Sequence, residues 1–174
     1  MYGRILSAGC LFWPFSVTKP SGGLPWKTAN TCGDKFFEPD VAPETGIYTI
    51  LVDPNGSGTG NIDMRVYDVV DLSGSLTINA AALPLSITQG GQVARYTFTG
   101  TAGQQVTVRI TGNTMLTTTV SLLRADQSPQ TSTTSAAGSF NLATQTLAAD
   151  GMYTVLIDPN SANTGNFSVR VTSP

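Results

Sequence analysis

The sequence predicts an all-β chain: an antiparallel β-sandwich of jelly-roll type, with one complete module preceded by the C-terminal half of another. Three observations predict it. Apolar and polar residues alternate at period two in segment after segment, as in NIDMRVY (61–67) and NFSVRVT (166–172). β-Branched Thr, Val and Ile dominate, and no stretch keeps the 3.6-residue period of a helix. A stretch of 21 residues also occurs twice, at 46–66 and 151–171.

Taken in order along the chain, residues 1–15 offer no element that matches the rest. The start MYGRILSAGCLFWPFSV has one Arg and then an apolar run, yet the run is short and broken by Pro14, so it fits a secretory leader poorly. SAGC at 7–10 likewise fits a lipoprotein cleavage box poorly, because Ser7 stands where an aliphatic residue belongs. Residues 13–67 read as about four strands and 72–174 as roughly eight, with turn signals every 8–12 residues. Early in the second region the candidates are 75–79, 85–88, 92–99 and 104–111. QVARYTFTG and QQVTVRITG each end on Gly and are set off by GG or AG turns. Domain boundaries follow at 1–71 and 72–174.

The repeat aligns without gaps at an offset of 105. Twelve of its 21 positions are identical, among them Gly46/Gly151, Tyr48/Tyr153, Asp53/Asp158, Asn55/Asn160, Arg65/Arg170 and Val66/Val171. Upstream the match weakens: SVTKPSGG (16–23) parallels SLLRADQS (121–128) only loosely, and Phe36-Phe37 stands near the place of Phe140. Before that, the first copy runs out of chain. Four strands with one apolar face leave that face and a backbone edge exposed. Three covers are open: the N-terminal segment, with Phe12, Trp13, Phe15 and Trp26 as the expected substitutes for the lost half; the second module; or a second chain pairing its own half across a two-fold axis.

The order TxxGQxVxVxITG, a strand such as VSLLRADQ, then LxxxGxYTxxIDPxxxxTGxxxVRV resembles the bacterial pre-peptidase C-terminal domain and related repeats of large secreted bacterial proteins. The resemblance covers 72–174 in full and 16–67 as a C-terminal half. It implies a secreted or cell-surface jelly-roll sandwich, usually an appendage to an enzyme rather than the catalyst. Some relatives bind calcium or assist with polysaccharide or collagen.

Composition narrows the function classes. Charged residues are 11% of the chain, against a usual fraction near a quarter. Net charge is −2 and the three lysines, Lys19, Lys27 and Lys35, form no basic run, so the electrostatic footprint of a nucleic-acid binder is missing. No apolar run reaches the roughly 18–20 residues that span a bilayer as a helix. The chain has no histidine, which removes Ser-His-Asp and Cys-His catalysis and His-ligated zinc.

What remains for chemistry is sparse. Asp34, Glu38, Asp40 and Glu44 cluster, but a glycosidase needs two carboxylates across a cleft, and a single acidic loop reads better as a polar solvated segment. Cys10 and Cys32 either close a disulfide or stand as two thiols. Asp34, Glu38, Asp40, Cys10 and Cys32 are thus the candidate catalytic groups of a small hydrolase, with a crevice between the N-terminal segment and the complete module.

The repeated loop offers the one metal candidate: Asp53 and Asn55, with Asp158 and Asn160 as the twin, place oxygens at every second residue as calcium loops do. The second copy keeps only one carboxylate, and Asp-Pro-Asn followed by Thr-Gly-Asn is also what a turn needs, with Asp expected to cap the following amides. Arg65 and Arg170 are expected to point outward, opposite an acid or an aromatic. The reading that follows is a non-catalytic binding, adhesion or accessory module. Its expected ligand is a polysaccharide or protein polymer, its expected partner a second copy docked through the half-module, and its cofactor none or calcium.

Overall fold

The computed structural model describes residues 2–7 and 13–174, with backbone alone for 2–7. The described residues hold strands, turns and irregular connections and no helix, and the chain divides into two compact units, Met1–Asp68 and Val69–Pro174.

The second unit holds ten strands: β7 (Leu72–Ser75), β8 (Leu83–Ile87), β9 (Ala94–Gly100), β10 (Gln105–Thr111), β11 (Thr118–Leu123), β12 (Pro129–Ser135), β13 (Ser139–Asn141), β14 (Gln145–Thr146), β15 (Gly151–Pro159) and β16 (Gly165–Thr172). They make a β-sandwich. One sheet runs β12-β11-β15-β9-β7 and the other β13-β10-β16-β8, with β14 also on β10. Alternation decides what faces inward. Val106, Val108 and Ile110 of β10 and Phe167, Val169 and Val171 of β16 meet Tyr96, Phe98, Val120, Leu122 and Val155 of the other sheet in one core. A period-two sequence can bury one face of a sheet and solvate the other, and this unit does so throughout.

Two details differ from expectation. The strand expected at 75–79 lies earlier, at β7, because Thr77 carbonyl to Ala80 amide closes a turn and Asn79 adopts φ 63°, a left-handed conformation in which Asn is tolerated. β7 also pairs in parallel with β9, with Gly74 opposite Tyr96, so the unit is not wholly antiparallel. A Cβ at Gly74 would stand 2.7 Å from the Tyr96 ring, which is why this rung carries glycine.

Among the described residues the first unit has six strands: β1 (Tyr2–Ser7), β2 (Trp13–Thr18), β3 (Lys27–Thr31), β4 (Lys35–Phe37), β5 (Thr49–Val52) and β6 (Ile62–Tyr67). They form two three-stranded sheets, β4-β1-β6 and β3-β2-β5. Phe15 and Val17 are buried against Trp26, Phe37, Tyr48, Ile50, Val52 and Ile62.

The ladders of this unit recur 105 residues on. Arg4 faces Arg65 as Arg109 faces Arg170, Arg4 faces Phe36 as Arg109 faces Asn141, and Phe15 faces Val52 as Val120 faces Ile157. β1 therefore stands where β10 stands. This corrects the expectation that residues 1–15 match nothing: the signal there was only Arg4-Ile5 against Arg109-Ile110, too short to see without the pairing. The offset fails only at the outer strand, where Trp13 faces Thr31 but Thr118 faces Ser135.

The aromatic residues also play another part than expected. Trp13 and Phe15 lie on β2, the strand in the place of β11, and are 6% and 7% exposed. They fill the unit's own core rather than replacing missing strands. Trp26 packs on Tyr48 with ring centroids 5.5 Å apart, and Phe12 falls outside the described residues.

Candidate functional site

The repeated stretch is chiefly a structural device. Tyr48 Oη accepts a hydrogen bond from the Glu44 amide at 3.0 Å and donates to the Glu44 carbonyl at 2.9 Å. Tyr153 Oη does the same with Ala149, at 3.3 and 3.0 Å. Each hydroxyl ties its strand back to the chain four residues upstream, a corner that needs Tyr at that place. Between them, Gly46 and Gly151 take φ +146° and +148°, which side chains rarely adopt, so Gly-x-Tyr is kept for conformation and anchoring.

The loop that follows turns alike in both units. Gly56 and Ser161 have φ 65° and 58°, the Gly58 amide donates to the Asn55 carbonyl at 3.3 Å, and the Asn163 amide donates to the Asn160 carbonyl at 3.4 Å. Backbone closes the turn, so the expected cap by the Asp53 and Asp158 side chains is corrected: the Asp53 amide instead donates to the Pro14 carbonyl at 3.0 Å. Asp158 reaches solvent on the outward side of β15. Partial burial pushes its carboxyl above the ordinary range, with Arg95 opposing and Asp71 adding to the rise. Among the described residues, no three His, Cys, Asp or Glu side chains come together as a metal group, and the pairs Asp53/Asn55 and Asp158/Asn160 lie at the start of their two turns.

The candidate catalytic groups are engaged elsewhere. Asp40 pairs with Lys27 at 2.8 Å, and that hydrogen-bonded ammonium holds its carboxyl below the usual value. Glu44 accepts from the Ser21 hydroxyl at 2.8 Å and the Ser21 amide at 2.9 Å, and pairs with Lys19 at 3.1 Å, which together lower it. Asp34 and Glu38 also have partners. Cys32 is disulfide-bonded, so it offers no thiolate; Cys10 lies outside the described residues.

Two surfaces carry unspent chemistry. On the outward face of the β10/β16 ladder, Arg109 lies directly opposite Arg170, against the expectation of an acid or an aromatic there. Arg109 Nε donates to Thr172 Oγ1 at 3.2 Å, and neither arginine forms an ion pair among the described residues. Like charges placed opposite each other weaken a ladder, so this rung costs stability. Thr107, Thr111, Ser168 and Thr172 flank it, and the row continues to Asn141. Sequence reasoning found Arg170 but not its partner, because register is invisible before pairing is known.

The other surface is on β6. Met64 and Val66 are 42% and 47% exposed, while Val169 and Val171, their counterparts at the offset of 105, are fully buried. In the second unit β9 takes the free edge of β15 and β8 that of β16; β5 and β6 have no second partner among the described strands.

Comparison with known proteins places the fold. No family model matches the chain, and no curated protein matches it. Among solved structures it is similar to the pre-peptidase C-terminal domain of a collagenase from Bacillus anthracis, at 14% identity and TM-score 0.50, over 60% of this chain and 99% of that one. PliG of Aeromonas hydrophila, a periplasmic inhibitor of g-type lysozyme, aligns at 17% identity and TM-score 0.39 over 59% of this chain and 99% of that one. Over about 60% of its length the chain thus shares the β-sandwich fold of a pre-peptidase C-terminal domain.

Proposed function

We propose that this chain is a non-catalytic binding module of jelly-roll type, an accessory part of a secreted or cell-surface protein, and that its ligand is an acidic polysaccharide. The first unit is read as the C-terminal half of a second such sandwich. The observation that carries the ligand is the Arg109–Arg170 rung, an unneutralised cationic pair set among hydroxyl and amide side chains. Two guanidiniums side by side match a carboxylate or sulfate, and Thr, Ser and Asn around them suit a hydroxyl-rich chain.

Titrating the protein with uronate-rich and sulfated glycans tests this, with a neutral glycan and collagen as controls. Acidic glycans should bind, weaken with added salt, and lose most affinity in Arg109→Ala/Arg170→Ala. Equal binding to the neutral glycan, preference for collagen, or indifference to the double substitution would overturn the ligand.

A further inference from the structure

Nine asparagines lie along the chain, and only Asn55 is followed by glycine. An asparagine side chain can close on the next backbone nitrogen, and a Cβ on that next residue hinders the approach. Glycine has none. We infer that Asn55-Gly56, in the turn between β5 and β6, is a site of spontaneous covalent modification, at which the Asn55 side-chain amide becomes a carboxylate with water as the only co-reactant. The inference rests neither on the glycan ligand nor on the half-sandwich.

The step balances without a cofactor. The Gly56 amide nitrogen gives its proton to solvent and attacks Asn55 Cγ. The N–Cγ bond forms, the Cγ–Nδ2 bond breaks, and the side-chain nitrogen leaves as ammonia. The cyclic succinimide then takes up a water at either carbonyl and opens to aspartate or isoaspartate. Nothing is oxidised or reduced, and a negative charge is added to a chain whose formal charge is −2.

The turn leaves this chemistry open in three ways. Asn55 and Gly56 are both exposed, and a Cβ built on Gly56 would meet nothing within 4 Å, so base and water can approach. Gly56 takes φ 65°, and its amide donates no hydrogen bond among the described residues, so no bond must break to free the nucleophile. The Asn55 carbonyl accepts from the Gly58 amide at 3.3 Å, which polarises the Asn55-Gly56 peptide and makes its N–H more acidic.

Two other pairs in the chain set the contrast. Asn160-Ser161 occupies the same turn in the second unit, with Ser161 at φ 58°, and both residues are exposed there too. Exposure therefore belongs to the turn itself, and what differs is the Cβ of Ser161 beside the nitrogen. Asp150-Gly151 could close the same ring by loss of water, but Asp150 Oδ1 accepts from the Ala102 amide at 2.7 Å, and Gly151 lies opposite Gly100 in the β15/β9 ladder.

Peptide mapping by mass spectrometry, with an isoaspartate assay, tests the inference on the folded full chain incubated in mildly alkaline buffer. The peptide holding Asn55 should gain about 1 Da, at a rate that rises with pH because the nucleophile is the deprotonated amide. It should convert roughly tenfold faster than the peptide holding Asn160, since only glycine lacks the hindering Cβ. Gly56→Ser installs the residue that the second unit carries at this turn, and should slow Asn55 to the rate of Asn160. Ser161→Gly should carry the lability to Asn160, with circular dichroism unchanged in both variants. Asn55 intact in the folded chain while it converts in urea, conversion indifferent to Gly56→Ser, or Asn160 unaltered by Ser161→Gly would overturn it.

Discussion

Val66 and Val171 are the same residue type at corresponding rungs of two counterpart ladders, and they should not be worth the same. Val171 has no exposed surface, so Val171→Ala removes the transfer free energy of two carbon groups, about 0.8 kcal/mol each, and leaves a cavity in a closed core; about 2–3 kcal/mol follows. Val66 is 47% exposed, so Val66→Ala loses roughly half the transfer and leaves no enclosed void, about 0.5–1 kcal/mol. Hydrogen exchange resolved by unit reads both losses. Both tryptophans lie in the first unit, so their fluorescence during urea unfolding gives an independent value for Val66→Ala. Equal losses at the two sites would mean that Val66 is as covered as Val171, and the half-sandwich reading would fail.

Further outcomes follow from the corners, the carboxylates and the loops. Tyr48→Phe and Tyr153→Phe each strip two hydrogen bonds from a half-buried corner and should cost about 1–2 kcal/mol, read as separate shifts in tryptophan fluorescence and in exchange of β15. The Asp158 carboxyl is raised in the fold, so its ionisation opposes folding above its folded pKa and the penalty disappears below its unfolded pKa. Asp158→Asn should therefore stabilise the second unit at pH 7 and make no difference at pH 3, as thermal melts at the two pH values would show. Asp40 and Glu44 are lowered, so what they contribute is present at pH 6 and lost as pH falls through their folded values; the tryptophan-reported unit should weaken on acidification. Melts in calcium and in EDTA should coincide, because backbone closes both turns without the aspartate side chains.

The sandwich was legible because its physics is local. Alternation in QVTVRIT and NFSVRVT already assigns inward and outward faces, and Gly-x-Tyr-Thr marks the corner before any coordinate is known. What was not legible was pairing. β1 shares little more than Arg-Ile with β10, and only the ladder with β6 reveals that the two strands are counterparts. Arg109 and Arg170 lie 61 residues apart in the chain and face each other only through register. Trp13 and Phe15 looked like patches over a gap because their strand was thought to be missing; placed on β2, they are core. Exposure of Met64 and Val66 is likewise a tertiary fact, since the same alternation in β16 is fully buried.

The most direct test of the half-sandwich reading is amide hydrogen exchange of Thr49–Val52 and Ile62–Tyr67. Strands with one free edge and an exposed apolar stripe should exchange faster than Gly151–Pro159 and Gly165–Thr172, which have neighbours on both sides. Exchange in β5 and β6 as slow as in β15 and β16 would contradict it.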